Sequence, residues 1–233
     1  MARRRYIEED EDENPKGKQY KEGELILLFK LKRIVEYQTP LMEEWLSVEN
    51  PVFNVGEQYN FDNKYKEAKV NLLGWSEEDL KMKFISFIIE LGHLTASENI
   101  VTFFDKTISA TVEGTKLKVK SDFMIAKGLF DVFTTPYFHF QVGGIPQYKP
   151  YKNPSGDSMA QLLEAFLIAQ VKNKDNKPLY GIDIMGANWK FVIMEGKEYC
   201  VSETYNCTNK NDLLQIIAIL RKFRWILETR LMT

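Results

Sequence analysis

Cysteine is almost absent: Cys200 and Cys207 are the only two among 233 residues. They form a single close pair with no second pair elsewhere, so neither a disulfide framework nor a thiolate zinc site can be assembled. Both thiols are expected to be buried and idle in a reducing, cytoplasmic compartment. Long apolar runs are missing too. Uncharged apolar runs such as Phe84 to Ile89 fall far short of the ~20 residues that cross a bilayer, and Arg3-Arg4-Arg5 runs straight into acids instead of a signal-peptide core. The sequence therefore predicts no membrane partner. It also lacks a basic excess: 31 Lys and Arg against 33 Asp and Glu leave a net charge of −2, so any affinity for nucleic acid has to be local. Glycine-rich phosphate loops of the GxxxxGK[ST] or GxGxxG kind do not occur. The two histidines, His93 and His139, lie far apart without a nucleophile pattern nearby, and His139, alternating in an aromatic segment, reads as a packed or hydrogen-bonded side chain.

What is present is enough to fold. Hydrophobic residues at 44% and aromatics at 13% are ample for a packed core, and the length suits one large domain with an appendage. Residues 1–23 hold the arginine triplet and an acidic run without apolar periodicity, which predicts a disordered charged tail. Residues 24–75 read as a helical amino-terminal region. Leu25, Leu28, Phe29, Leu31 and Val35 make one stripe, Leu41, Trp45 and Leu46 a second short helix after Pro40, and Tyr59, Phe61, Tyr65, Ala68 and Leu72 a third. These helices carry no chemistry in view and are a surface for a protein partner.

From Ser76 the order changes. Ser76 is an N-cap with Glu77, Glu78 and Asp79 in the first turn, where the helix dipole favours acids, and the helix runs to about Gly92. The apolar period then becomes two, predicting strands at 100–104, 107–112 and 116–126, with Glu113-Gly114 as a hairpin turn, and another at 137–141. A helix from Ser158 to about Lys172 follows, then strands at 179–185, 189–194 and 199–202 and a last helix from Asn211 to about Glu228. Trp189 and Phe191 are expected to pack against that helix. The fold class expected is α/β, a mixed central sheet flanked by helices.

One carboxylate stands out. In Lys116-Leu-Lys-Val-Lys-Ser-Asp122-Phe-Met-Ile, Asp122 is an isolated acid beside an apolar run, and such a group is paired, at a strand end or bound to a cation. Ser121-Asp122 on one strand, Gln147-Tyr148-Lys149-Pro150 after the next, and Gln161-Leu-Leu-Glu-Ala-Phe-Leu-Ile-Ala-Gln170 on a helix together resemble the PD-(D/E)XK nuclease superfamily. The chain looks particularly like small bacterial nuclease-like proteins in which an aromatic strand runs into Glu-Tyr-Lys-Pro. The resemblance covers roughly Ser76 to Glu228, and residues 76–233 are assigned to a nuclease-like domain.

The resemblance implies a restriction-endonuclease-like core, DNA as partner, and Mg²⁺ or Mn²⁺ held by Asp122 and Gln147. Lys149 is then the lysine that orients the nucleophile or stabilises charge, and Glu78, or equally Glu77, is the further acid on the first helix. Gln161, Lys152, Arg221 and Arg224 become candidate DNA contacts, although a solvated helix end is the plainer account of the last two. The chain departs from the pattern in two ways. Gln147 offers a carbonyl oxygen where the family places a charged one, which Mg²⁺ prefers, and Val142 to Pro146 inserts glycines and a proline ahead of the motif. If Gln141 holds the acid position instead, the lysine slot falls on Gly143. A rival expectation is then a catalytically inactive relative that binds nucleic acid or protein.

Overall fold

A computed structural model describes residues 18–35, 38–129, 132–143 and 157–232. Residues 1–17 of the expected tail fall outside these residues, as do Gln147, Lys149 and Lys152, while 18–23 are described and Glu22 and Gly23 open a helix.

The chain is a mixed α/β structure. Its described elements are α1 (Glu22–Phe29), β1 (Lys32–Ile34), α2 (Pro40–Leu46) and α3 (Val55–Asn71), then α4 (Glu77–Leu80) and α5 (Ser86–Leu91) joined by a π turn at Lys81–Ile85. After these come β2 (Ile100–Val112), β3 (Thr115–Leu129), β4 (Val132–Gly143), α6 (Ser158–Asn173), β5 (Leu179–Met185), β6 (Asn188–Glu195), β7 (Glu198–Val201), β8 (Tyr205–Asn206) and α7 (Lys210–Ile226). One sheet runs β1-β7-β6-β5-β4-β3-β2, with β8 added to β6. β4 and β5 are parallel and connected through α6, while β2, β3 and β4 are antiparallel neighbours.

Local chemistry explains most boundaries. Thr39, Asn54, Ser76, Asp157 and Asn209 each accept a backbone N–H in the first turn of the helix they precede, relieving donors that have no partner inside the helix. The β2–β3 turn places Glu113 at φ 46° and Gly114 at φ 82°, the positive pair that a tight hairpin with matching twist requires.

The amino-terminal region departs from the all-helical expectation. The helix that starts at Glu22 stops at Lys30, whose φ is 54°, and residues 32–34 form a strand parallel to β7. Leu25, Phe29 and Leu31 are buried as the stripe implies, but Leu28 and Val35 are exposed. β1 is set by a partner more than 160 residues away, a long-range pairing that local periodicity does not encode.

The sheet separates two cores. On one face α2, α3, α5 and α7 pack around Trp45, Tyr180, Trp189, Phe191 and Phe223. On the other, α1 and α6 pack over Val101, Val119, Met124, Leu179 and Met194. α6 lies very close to the sheet at Gly181, where a Cβ would meet the His139 carbonyl, Leu162 and Phe166 at 2.8 Å; only glycine lets the helix approach so far.

Candidate functional site around Asp122

Asp122 sits at a break in strand alternation. On β3 the residues facing the α6 core are Leu117 and Val119, then Met124 and Ala126; on β2 they are Val101 and Phe103, then Ile108, Ala110 and Val112. Odd positions give way to even ones on β3 and on β2 alike, so the two strands exchange faces at the same level. Asp105 and Asp122 mark that level, lying opposite each other between the pairs Phe104–Phe123 and Lys106–Ser121. Asp105 has φ 55°, a left-handed conformation that aspartate tolerates better than most residues. A strict two-residue period would keep Asp122 in line with exposed Lys118 and Lys120. The exchange of faces buries it instead, at 5% exposure.

A partner of Asp122 comes from the π turn that joins α4 to α5. Lys81 Nζ donates to Asp122 Oδ1 at 2.9 Å and lies 3.1 Å from Glu77 and 3.4 Å from Asp105. Lys120 closes the group by pairing with Asp105 at 3.0 Å. Burial works against charge on Lys81, yet the hydrogen bonds and attraction of Asp122 and Glu77 outweigh it and hold the ammonium above its usual range. Burial would likewise push the Asp105 carboxyl up, but Lys120 and Lys81 together keep it below the ordinary range.

Of the two equivalent candidates on the first helix, Glu77 reaches the site through Lys81 and Glu78 is exposed. Ser121, next to Asp122, is fully buried, donates to the Phe123 carbonyl at 2.8 Å and lies 3.2 Å from His139 Nδ1. His139 is held neutral, its pKa pushed down to about 3 by burial, and its Nε2 has no hydrogen-bond partner among the described residues.

Along β4, Phe140 pairs with Phe123, and Gln141 and Gly143 follow before the strand's described end. Gln141 is thus the β4 residue at the level of Asp122. Gln147, Lys149 and Lys152, which the resemblance singles out, lie outside the described residues.

Gln161 is half-buried in the first turn of α6, next to Asp157, whose carbonyl accepts its N–H. Arg221 and Arg224 serve as clamps. Arg221 donates to the Leu91 and Val52 carbonyls and to Glu57, and Arg224 to the Thr95 carbonyl, Ser97 and Glu228, tying α7 to α3, α5 and the segment between α5 and β2.

Lys81 and Asp105 escaped the sequence reading. Lys81 has the look of a solvated lysine one turn after Glu77, since i,i+4 ion pairs are common on exposed helix faces. Asp105 left a trace: the alternating pattern of β2 lapses there, a lapse that reads as a gap between two strands and is in fact a kink within one.

A hard cation fits the chemistry of the Asp122 carboxylate. Among the described residues no group of three His, Cys, Asp or Glu is arranged to hold one. Among the described residues, no helix is long and apolar enough to cross a membrane. No protein-family model matches this chain, and no curated protein matches it.

Proposed function

We propose that the chain is a nuclease-like protein that cleaves phosphodiester bonds in DNA in a Mg²⁺- or Mn²⁺-dependent way, with Asp122 as its essential carboxylate. One observation carries this reading. A buried aspartate lies in the middle strand of an antiparallel three, preceded by an acid-bearing helix and followed by a helix and a parallel strand. That is the frame in which the PD-(D/E)XK superfamily builds its site, and a restriction-endonuclease-like core is the finer form of the fold proposed here.

In this reading Asp122, with the Gln147 carbonyl, would hold the cation, which would activate water and neutralise charge on the phosphate. Water oxygen bonds to phosphorus, the bond from phosphorus to one ester oxygen breaks, the water proton is lost to solvent and the departing oxygen is protonated. The chain's own part is to fix Asp122 rigidly and exclude bulk water behind it. Lys81 fixes the orientation of the carboxylate, and the adjacent Phe123 is buried, its ring centre 5.0 Å from that of Phe104. Lys149 is proposed as the amine on the phosphate side, and Gln161 and Lys152 as DNA contacts. The test is cleavage of plasmid and single-stranded DNA with Mg²⁺ or Mn²⁺. Activity abolished in Asp122→Ala is expected; activity that persists in that variant sinks the reading.

A second reading rests on a different observation. The residues of β4 at and beyond the level of Asp122 are Gln141, Val142 and Gly143, none an acid or a lysine, and Lys81 is already engaged by three carboxylates. This favours a relative that has kept the fold as a DNA- or protein-binding module. Salt-dependent DNA binding without cleavage would select it, and protein capture through α2 and α3 without DNA binding would select its protein-binding form.

A further inference from the structure

Lys81 is a cation that the fold itself inserts among carboxylates. Asp122, Glu77 and Asp105 approach its Nζ at 2.9, 3.1 and 3.4 Å, from β3, α4 and β2. The Lys81 side chain is only 11% exposed. Two backbone irregularities accompany the arrangement. The helical rod opens into a wider π turn that begins at Lys81, and Asp105 adopts φ 55° within a strand. Both conformations cost energy and persist where the surroundings hold them. A lysine that merely paired with Glu77 on a solvated helix face would need neither.

From this geometry we infer that Lys81 is a tethered counter-ion that competes with divalent cations for Asp122. The inference rests on the reading of Asp122 as a metal-binding carboxylate and adds to it a control over when metal can bind. The physical basis is direct. A divalent ion and an ammonium sharing one carboxylate repel each other at contact distance in a partly buried setting. The ammonium, moreover, is covalently attached, so it is present at a high effective concentration that a free ion must overcome. Metal binding therefore requires Lys81 to leave Asp122, and the displaced amine remains within reach of whatever anion accompanies the metal.

The experiment measures metal binding rather than turnover. Mn²⁺ affinity, read by electron paramagnetic resonance of the free ion, is compared for the intact protein, Lys81→Met and Lys81→Met/Asp122→Asn. The expected result is binding about tenfold or more tighter in Lys81→Met, with the gain removed by Asp122→Asn. Equal or weaker binding in Lys81→Met overturns the inference, and so does no Mn²⁺ binding by any form. Where Lys81→Met fails to fold, Mg²⁺ is titrated into the unaltered protein with ¹⁵N-labelled lysine. The Lys81 Nζ resonance is expected to shift in step with saturation, and a resonance that stays fixed while metal binds overturns the idea. DNA cleavage is scored separately. Cleavage by the intact protein with unchanged affinity in Lys81→Met leaves the nuclease reading standing and removes this one; tighter binding in Lys81→Met without cleavage by any form does the reverse.

Discussion

The two faces of the sheet bury polar groups by different means. On the α7 face the core is aromatic. Trp45 stands edge-on to Tyr180 and Phe191 at 5.0 and 5.1 Å and tilts against Phe223 at 5.9 Å, and its indole N–H is satisfied by the Ile219 carbonyl at 3.0 Å. Among the described residues, buried charge beside this core takes the form of the Lys81–Asp122 pair, where an opposite charge offsets the loss of water. The α6 face is mostly aliphatic, yet it encloses Glu164, Asp183, Ser158 and His139. Burial raises the Glu164 carboxyl to about 7, opposed only by a hydrogen bond from the Tyr20 backbone. It raises Asp183 as well, opposed by Ser158 and Lys190. One face compensates a buried acid with an ammonium and the other with a proton, so only the second should make stability depend on pH near neutrality.

The largest effect expected tests the aromatic face. Trp45→Ala should cost about 3–5 kcal/mol by opening a cavity among three rings and removing the indole hydrogen bond to the Ile219 carbonyl. The loss should be the same at pH 5.5 and pH 8, read from denaturant midpoints; a pH-dependent loss would mean that the aromatic core is coupled to titrating groups it does not touch. Next comes the ion pair. Lys81→Met leaves Asp122 buried beside two further carboxylates and should cost about 3 kcal/mol at pH 7. Part of that loss should return in Lys81→Met/Asp122→Asn and at acid pH, where the carboxylates take up protons. A double-mutant cycle with no coupling would show that the pair contributes nothing to the fold.

The contrast between the faces also marks what was legible in the sequence. Helix starts at Pro40, Ser76 and Ser158 and the Glu113-Gly114 turn were readable because each rests on local capping or backbone preference. The packing of Trp189 and Phe191 with the α7 core and the burial of His139 were readable from apolar alternation, and the burial of Cys200 and Cys207 from the habit of free cysteine. Asp122 was readable as an anomaly, an acid next to Phe123-Met124-Ile125. Its neighbours were not, because Lys81 and Asp105 reach it through a π turn and a left-handed residue, and both break the periods on which sequence reasoning depends. β1 escaped for the same kind of reason: its three residues take their structure from β7.

A smaller and opposite effect is expected on the α6 face. Because the Glu164 carboxyl is raised from 4.5 to about 7 in the folded chain, the folded state holds its proton more tightly than the unfolded one. Its contribution is therefore fully present below pH 4.5 and is lost as pH rises through 7. Glu164→Gln keeps the shape without the charge. It should stabilise the protein at pH 8 by about 2 kcal/mol, once solvent screening is taken off the full shift, and by almost nothing at pH 4.5. Equal stability of the two forms at pH 8 would mean that Glu164 finds water or a cation on this face.

The smallest effect separates a hydrogen bond from a charge on that same face. Ser158 donates to Asp183 at 2.6 Å from the first turn of α6, stabilising the ionised carboxylate that burial disfavours. Ser158→Ala removes this donor without altering the sheet, so the Asp183 carboxyl should rise further above its ordinary range. The cost should be about 1.5 kcal/mol at pH 8, where the lost bond is to a charged acceptor, and about half that near pH 4, where the acceptor is increasingly neutral. Asp183→Asn in the Ser158→Ala background should abolish the difference between the two pH values. If the pH dependence survives the loss of Asp183, it belongs to Glu164 alone, and the α6 face has one titrating acid rather than two.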